Sequence, residues 1–232
     1  MKPLIIIPAR GGSKGVPRKN IKLLNGIPLI HYTIKAAKQL FNDSLICVST
    51  DDVEIKEISE QASLSVPFLR PKELASDTSG SYEVLLHAIE HYANSGYEAD
   101  TLILLQPTSP FRTSSQIEEA LKLYSDDIDM VVSVKETKSN PYYILFEEDE
   151  NGFLRKSKEA TFTRRQDCPK VWEYNGAIYI INISSLKEQA IGEFKKVIKY
   201  EMDEFSSHDI DTLFDWDMSE LMIAKQNKEY EN

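Results

Sequence analysis

Short apolar runs alternate with amphipathic segments through the first 134 residues of the chain. The apolar runs are typical of strands that are buried on both faces of a sheet. The segments between them repeat their apolar positions with the period of a helix, as in the stretch that follows Pro28. The predicted strands are residues 4–8, 44–50, 66–69, 100–106 and 128–134, and the predicted helices are residues 29–40, 51–62, 82–93 and 115–124.

This alternation of strands and helices predicts an α/β fold. Its sheet should be mostly parallel, with helices on both faces. Ligands bind such sheets at the carboxyl ends of the strands. The loops that begin at Arg10, Asp51 and Pro107 follow predicted strands and should therefore border a binding site.

The pattern changes after about residue 135. Residues 136–171 are polar, include an acidic run at 147–150, and carry too few apolar positions to fill a core. They form either a flexible excursion or an arm that packs on a partner chain. Strands are predicted again at 173–183 and 195–202. A closing helix is predicted at 212–225, where Thr212 and Asp215 have the spacing of a capping-box variant.

Composition limits the classes of protein that this chain can belong to. Its 232 residues suffice for one large domain. No apolar run reaches the roughly 18 residues of a membrane span, and the N-terminal run is too short for a signal peptide. Cys47 and Cys168 lie far apart, and Cys47 falls in an apolar run. We therefore expect a cytoplasmic protein with reduced thiols and no membrane partner.

The charges are distributed unevenly along the chain. The net charge is −10, yet residues 1–42 contain eight Lys or Arg and no acid, which leaves 19 cations against 37 acids in the remainder, a balance of −18. Such blocks can be ordinary solvated surface. Here the cations lie among glycines after a strand, which favours a small polyanion held at one place. The acidic remainder argues against nucleic acid as a partner.

The loop at residues 9–20, A-R-G-G-S-K-G-V-P-R-K-N, is the first candidate site. Its glycines fit neither the dinucleotide pattern nor the P-loop pattern. Gly11 and Gly12 can still bring backbone N–H groups close to an anion. Arg10, Lys14 and Lys19 can neutralise phosphates. The loop therefore predicts a phosphate site of another type.

Asp209 and Asp211 are the best candidates for metal binding. Side chains at positions i and i+2 of an extended segment point the same way, so both carboxylates can reach one Mg²⁺ or Mn²⁺ ion. Residues 201–217 hold seven acids and no Lys or Arg. The motif Asp-x-Asp is weak alone, but a bound triphosphate would require such an ion.

Five stretches in register resemble the CMP-N-acylneuraminate (CMP-sialic acid) synthetases, a family of cytidylyltransferases. They are P-A-R-G-G-S-K-G-V-P-R-K-N at 8–20, F-L-R-P-K-E-L-A-S-D-T at 68–78, L-L-Q-P-T-S-P-F-R at 104–112, N-G-A-I-Y-I at 175–180 and H-D-I-D-T at 208–212. The resemblance covers nearly the whole chain. It implies a Rossmann-like nucleotidyltransferase fold, a single domain over residues 1–232, and a homodimer that exchanges the arm at 136–171.

The resemblance also implies roles for individual residues. In the family the first loop binds the triphosphate of CTP, which gives Arg10, Ser13, Lys14 and Lys19 that role, with Gly11 and Gly12 between them. The positions that contact cytosine or its ribose correspond to Asn20, Arg70, Ser79 and Ser81. The positions that face the sugar correspond to Gln106, Thr108, Ser109, Tyr179 and Arg165, the last often reaching the site of a neighbouring subunit.

The expected reaction transfers CMP from CTP to the C2 hydroxyl of a nonulosonic (sialic-type) acid and releases pyrophosphate. Arg10, Lys14, Lys19 and Asp211 are the expected catalytic residues. The general base stays open between a metal-activated hydroxyl and Asp211. Legionaminate, pseudaminate or the eight-carbon KDO are alternative substrates, although the loop resembles the nine-carbon branch more closely. The alternative of another class is a non-catalytic nucleotide-binding assembly protein, which would not need the metal pair.

Overall fold

The computed structural model describes residues 1–75 and 81–230, without the side chains of Ser81 and residues 227–230. Within these ranges the chain forms ten strands and six α-helices. The strands are β1 (Pro3–Pro8), β2 (Leu23–Leu24), β3 (Ile27–Pro28), β4 (Ile46–Ser49), β5 (Thr101–Leu104), β6 (Met130–Glu136), β7 (Phe146–Glu148), β8 (Leu154–Lys156), β9 (Trp172–Asn182) and β10 (Val197–Glu201). The helices are α1 (Leu29–Lys38), α2 (Val53–Gln61), α3 (Ser81–Asn94), α4 (Ser114–Leu121), α5 (Ile183–Glu188) and α6 (Leu213–Tyr230).

The central sheet has the strand order β10-β6-β9-β5-β1-β4. Strand β1 lies parallel to both β4 and β5, and β10 lies parallel to β6. Strand β9 runs antiparallel to both of its neighbours, β5 and β6. The prediction of a mixed, mostly parallel sheet is therefore confirmed.

Helices cover both faces of this sheet. Side chains of β1 alternate between the faces, so Ile5 and Ile7 pack with α1, whereas Leu4 and Ile6 pack with α3. All four side chains are fully buried, as the uninterrupted apolar run predicts. Cys47 is also fully buried, and burial raises the pKa of its thiol to about 12, so it is a core residue.

Helix caps place several helix N-termini at the carboxyl edge of the sheet. The Asp52 carboxylate accepts from the N–H of Ile55 at 3.0 Å and caps α2. Before α6, the N–H of Asp215 donates to Thr212 Oγ1 at 3.2 Å, and the N–H of Thr212 donates to Asp215 Oδ2 at 2.7 Å. The predicted capping-box variant is therefore confirmed.

The prediction of a strand at residues 66–69 is wrong. This segment is extended but belongs to no sheet. Pro67 lacks the N–H that a strand beside β4 would donate. Phe68 instead packs its ring against His87 and His91, at centroid distances of 4.8 and 4.6 Å.

Residues 136–171 leave the central sheet after β6 and return to it at β9. Within this excursion β7 and β8 pair in a small antiparallel hairpin of their own. Several large apolar side chains of the hairpin are exposed, including Phe146, Phe153 and Leu154 at 47%, 63% and 67%. Across the described part of the chain, no helix combines the length and the apolar character that a membrane crossing requires.

Candidate active site

A cleft of about 640 Å³ opens at the carboxyl edge of the sheet. Because β1 and β5 are parallel neighbours, the loops that follow them meet at this edge. The segment before α6 closes the opposite side. The cleft brings together most of the site residues that the sequence predicts: Arg10, Ser13, Lys14, Lys19, Asn20, Arg70, Gln106, Thr108, Asp209 and Asp211.

The cationic loop is tied directly to the acidic segment. The ammonium of Lys19 donates to the carbonyl of Ile210 at 2.5 Å and to Asp211 Oδ1 at 3.1 Å. The amide of Asn20 donates to the carbonyl of Arg10 at 3.0 Å and fixes the start of the loop. Residues about 190 positions apart therefore form one wall of the cleft.

The glycines of the loop differ in how closely they approach the rest of the chain. A Cβ on Gly15 would lie 1.9 Å from the carbonyl oxygen of Asp211, so only glycine allows this approach. A Cβ on Gly11 would lie 2.5 Å from Asp52 Oδ2, whereas Gly12 has open space. Gly15 lines the cleft, while Gly11 and Gly12 do not. The sequence argument missed Gly15 because its partner lies far along the chain.

Arg18 is one cation of the loop that points away from the cleft. Its left-handed backbone, with φ of 55°, directs the guanidinium toward Asp52 and Glu54. The hydrogen bond from Arg18 holds the pKa of Asp52 below its usual range. This ion pair anchors the loop to the N-terminus of α2.

Arg70 forms the deepest cationic position of the cleft. It is only 5% exposed, and its Nη2 lies 3.5 Å from Asp51 Oδ1. Burial lowers the pKa of Arg70, and the nearby charge of Arg10 adds to this effect. Its Nε–H has no hydrogen-bond partner among the described residues. The guanidinium lines the cleft, so it can donate hydrogen bonds to an acceptor group of a ligand.

Asp209 and Asp211 face the same cleft from the acidic segment. The Ser109 hydroxyl lies 3.5 Å from Asp209 Oδ1, and the N–H of Ile210 donates to the carbonyl of Thr108 at 2.9 Å. Burial raises the pKa of Asp209, and the charge of Asp211 raises it further. A cation bound between the two carboxylates would relieve this unfavourable burial.

The two carboxylates suit Mg²⁺ better than a metal ion whose ligands all come from the protein. Among the residues described, no group of three or more His, Cys, Asp or Glu could hold an ion. Mg²⁺ commonly binds through one or two carboxylates, with substrate phosphates and water supplying the remaining ligands. The pair Asp209 and Asp211 fits that arrangement.

Gln106 lines the cleft, whereas Tyr179 of β9 does not. A Cβ on Gly176 would lie 2.8 Å from Gln106 Oε1, and Gly176 has a φ of +75°. Tyr179 pairs with Leu104 across β9 and β5. Burial raises the pKa of Tyr179, and the charge of Asp209 raises it further.

Arg112 supports the cleft beside Gln106 and was missed by the sequence argument. Its guanidinium donates to the carbonyls of Gln106 and Ala177, at 3.1 and 2.7 Å, and to Thr33 Oγ1 at 2.6 Å. Burial lowers its pKa to about 9. Arg112 therefore fixes the end of β5 against β9. Its place at the end of L-L-Q-P-T-S-P-F-R is the only sequence signal for this role.

Some predicted site residues do not line the cleft of their own chain. Arg165 is exposed in the excursion, within a short 3-10 turn at Arg165–Asp167. Ser109 is fully buried behind Asp209. Ser79 lies outside the described residues. Ser81 begins α3, but its side chain is not among those described.

The glycine loop and the acidic pair meet across a strand-end cleft of an α/β sheet. The fold is that of CMP:2-keto-3-deoxy-manno-octonic acid synthetase, whose structure in complex with CTP aligns with a TM-score of 0.71 and 17% identity over 97% of this chain and 100% of that one. The predicted Rossmann-like nucleotidyltransferase fold is therefore confirmed.

Residues 4–231 match the family model described as Cytidylyltransferase, and the chain belongs to this family. It is 36% identical to the N-acylneuraminate cytidylyltransferase of Streptococcus agalactiae over 93% of its length. The chain spans about half of the length of that relative, 52%. It is 34% identical to the CMP-N,N'-diacetyllegionaminic acid synthase of Campylobacter jejuni, over 97% of this chain and 96% of that protein.

Proposed function

We propose that this protein transfers CMP from CTP to the C2 hydroxyl of a nonulosonic acid and releases pyrophosphate. The observation that carries the proposal is the cleft itself. It sets Arg10, Lys14 and Lys19 opposite a pair of carboxylates at the carboxyl edge of the sheet. A triphosphate needs such cations, and its bound metal needs such oxygens. The relatives named for neuraminate and legionaminate support the same reaction class.

The loop after β1 would bind the triphosphate. Lys14 and Arg10 neutralise the phosphates, while Lys19 joins this loop to Asp211. In the reaction, the C2 oxygen of the sugar acid forms a bond to the α-phosphorus, and the bond from that phosphorus to the bridging oxygen breaks. The hydroxyl gives its proton to Asp211 or, where a bound metal lowers the pKa of the hydroxyl, to water. Pyrophosphate leaves with the negative charge that the loop cations stabilise.

Asp209 and Asp211 would hold Mg²⁺ or Mn²⁺. The ion, when bound, neutralises phosphate charge and orients the triphosphate. The described residues contribute by fixing both carboxylates against Thr108, Ser109 and Lys19. Asp211 is the more exposed of the two and lies nearer to the mouth of the cleft.

Cytosine would bind beside Arg70 and Asn20. Cytosine differs from uracil in its N4 amino group and its N3 acceptor, so selection needs a fixed donor and a fixed acceptor. Arg70 lines the cleft and its guanidinium supplies such donors. Leu74, Val84 and Leu85 add an apolar surface on this side of the cleft.

The sugar acid would occupy the part of the cleft lined by Gln106 and Thr108. A substrate panel tests this assignment: the protein is incubated with CTP, Mg²⁺ and N-acetylneuraminate, legionaminate, pseudaminate or KDO, and CMP-sugars are detected by mass spectrometry. We expect a product with at least one nine-carbon acid and less with KDO. Absence of product with all four acids would refute the proposed function.

We further propose a homodimer in which the arm at 136–171 of one protomer reaches the cleft of its partner. The exposed apolar side chains of the hairpin support this arrangement, because contiguous exposed apolar surface is typical of an interface. Arg165 is exposed on the same excursion, and its guanidinium suits the carboxylate of a sugar acid. Both described cysteines are free thiols, which supports a cytoplasmic location.

Mixed dimers test the contribution of Arg165. Co-expression of Arg165→Ala and Lys14→Ala chains should restore activity to about a quarter of the wild-type value, because one cleft in each mixed dimer is complete. Each variant alone should be nearly inactive. Failure of the mixture to recover activity would show that Arg165 does not act across subunits.

A further inference from the structure

A buried chain of three polar side chains lies directly beneath the acidic wall of the cleft. The hydroxyl of Ser133 donates to Asn175 Oδ1 at 2.6 Å, and Asn175 Nδ2 donates to the hydroxyl oxygen of Ser207 at 2.8 Å. Ser133 and Ser207 are fully buried, and Asn175 is 4% exposed. These side chains join β6, β9 and the segment that precedes α6.

The chain exists because β9 bulges at this point. The pairing of β6 with β9 shifts between Val132 and Val134, so Ser133 has no partner in the ladder. The Ser133 hydroxyl accepts from the N–H of Ile178 at 2.7 Å, which satisfies this backbone donor inside the bulge. Asn175 is thereby turned inward, beneath the sheet edge.

Gly176 completes the bulge beside the cleft. Its φ of +75° favours glycine, and a Cβ there would lie 2.8 Å from Gln106 Oε1 and 3.9 Å from Asp209 Oδ1. The bulge therefore leaves space for both of these cleft residues while sending the Asn175 amide to Ser207.

Asp209 is anchored on both sides in the chain. On its C-terminal side, the N–H of Ile210 donates to the Thr108 carbonyl at 2.9 Å, and the Ile210 carbonyl accepts from Lys19. On its N-terminal side, Ser207 is bound by Asn175. The N–H of Ser207 also donates to the Asp203 carbonyl at 3.0 Å, so loss of the Asn175 bond would loosen this segment without releasing it.

We propose that Ser207, bound through Asn175, is a positioning residue that fixes the Asp209 carboxylate for metal binding. Ser207 does not line the cleft, so a substitution there would act on the metal through the short segment that leads to Asp209. The inference rests on the proposed function only in assigning Asp209 to the metal. Residues that orient metal ligands typically change metal affinity by about 10–100-fold when they are mutated.

Ser207→Ala tests the proposal, with Ser59→Ala as a matched control. Ser59 is also fully buried, and its hydroxyl donates to the Ile55 carbonyl at 2.7 Å inside α2, remote from Asp209. Ser207→Ala should raise the Mg²⁺ concentration for half-maximal rate about tenfold, and saturating Mg²⁺ should restore most of the rate. Ser59→Ala should keep the wild-type Mg²⁺ dependence. A merely structural role would not give rescue by the metal.

Mn²⁺ binding supplies a readout that does not depend on turnover. Titration of the protein with Mn²⁺ in the presence of CTP, followed by electron paramagnetic resonance, should show a dissociation constant about tenfold higher for Ser207→Ala than for wild type. Ser207→Cys, whose slightly larger thiol still fills the site but accepts hydrogen bonds weakly, should fall between them and serves if the alanine variant fails to fold.

The possible outcomes distinguish the proposed function from the positioning role of Ser207. If the wild type makes no CMP-sugar, the proposed function fails, and the Mn²⁺ titration still decides the role of Ser207. Wild-type Mn²⁺ affinity in a folded Ser207→Ala protein overturns the inference. Loss of activity that saturating Mg²⁺ does not restore also overturns it.

Discussion

The buried carboxylate of Asp209 lowers the stability of the folded protein when it is charged. Burial raises the pKa of its carboxyl group, because the charged form loses hydration. The folded-state pKa then exceeds that of the unfolded chain, so the folded protein binds more protons between the two values. Stability is therefore lost as pH rises through the folded pKa of Asp209.

Asp209→Asn should consequently stabilise the protein while abolishing turnover. We expect the melting temperature at pH 7.5, without added metal, to rise by roughly 2–4 °C, equivalent to about 1 kcal/mol. The difference in melting temperature between the variant and the wild type should become smaller as the pH is lowered toward the ordinary range of an aspartate pKa. Calorimetry across this pH range measures the effect, and a lower melting temperature for the variant at pH 7.5 would contradict it.

Lys14 is exposed in the cleft wall and should act on charge that develops during the reaction. We expect Lys14→Ala to lower kcat/KM by about 100-fold or more, with little change in melting temperature. Lys35→Ala, which removes an exposed cation of α1 outside this cleft, is the control. Steady-state kinetics would refute the phosphate role of Lys14 if both variants behaved like wild type.

Several site residues could be predicted because their signal is local in the sequence. The charge pattern identifies Lys14, and the spacing of acids identifies Asp209 and Asp211. Arg112 and Gly15 could not be derived in this way, because their roles depend on contacts with Ala177 and the Asp211 carbonyl, which lie far along the chain. The type of a residue does not reveal which distant part of the chain it contacts.

At the scale of elements, the loop after β1 is shaped by close packing as much as by charge. Gly15 meets the Asp211 backbone, Lys19 bonds to the same segment, and Arg18 is anchored to α2. The loop and the acidic segment therefore depend on each other for their position.

Gly15→Ala and Gly12→Ala distinguish the effect of close packing at residue 15 from the general effect of replacing a loop glycine. The new methyl group at residue 15 would overlap the Asp211 carbonyl and push the loop away from the acidic pair. We expect kcat/KM to fall by about 100-fold, as for a misplacement of about 1 Å in other sites. Gly12→Ala enters open space and should stay within a few-fold of wild type. Equal effects of the two substitutions on steady-state kinetics would contradict this account.

Most elements follow from the apolar pattern, but strand direction and pairing do not. Periodicity alone cannot show that β9 runs antiparallel between β5 and β6, because an antiparallel strand buried on both faces has the same pattern as a parallel one. The segment at 66–69 has strand composition, yet Pro67 prevents it from extending the sheet beside β4.

At the scale of the whole molecule, the charge asymmetry has a structural explanation. The cation-rich start of the chain forms β1, its loop and α1, whereas the acidic segment before α6 returns to the same edge of the sheet. Opposite charges from the two ends of the chain therefore meet across one cleft.

The hairpin of β7 and β8 should determine the assembly state. The double substitution Phe153→Asp and Leu154→Asp places charges on its exposed apolar surface and should convert a dimer to a monomer. Leu123→Asp, at an exposed leucine just beyond α4, is the control and should leave the dimer intact. Light scattering after size-exclusion chromatography measures both masses, and an unchanged mass for the double variant would argue against the arm as the interface.

Phosphorus NMR of a single reaction tests the central claim most directly. The protein is incubated with CTP, Mg²⁺ and the nine-carbon acid that gives product in the substrate panel. The account predicts that the CTP resonances are replaced by one phosphodiester signal and pyrophosphate in equal amounts, because attack occurs at the α-phosphorus. Unchanged CTP, or release of orthophosphate with CDP, would contradict it.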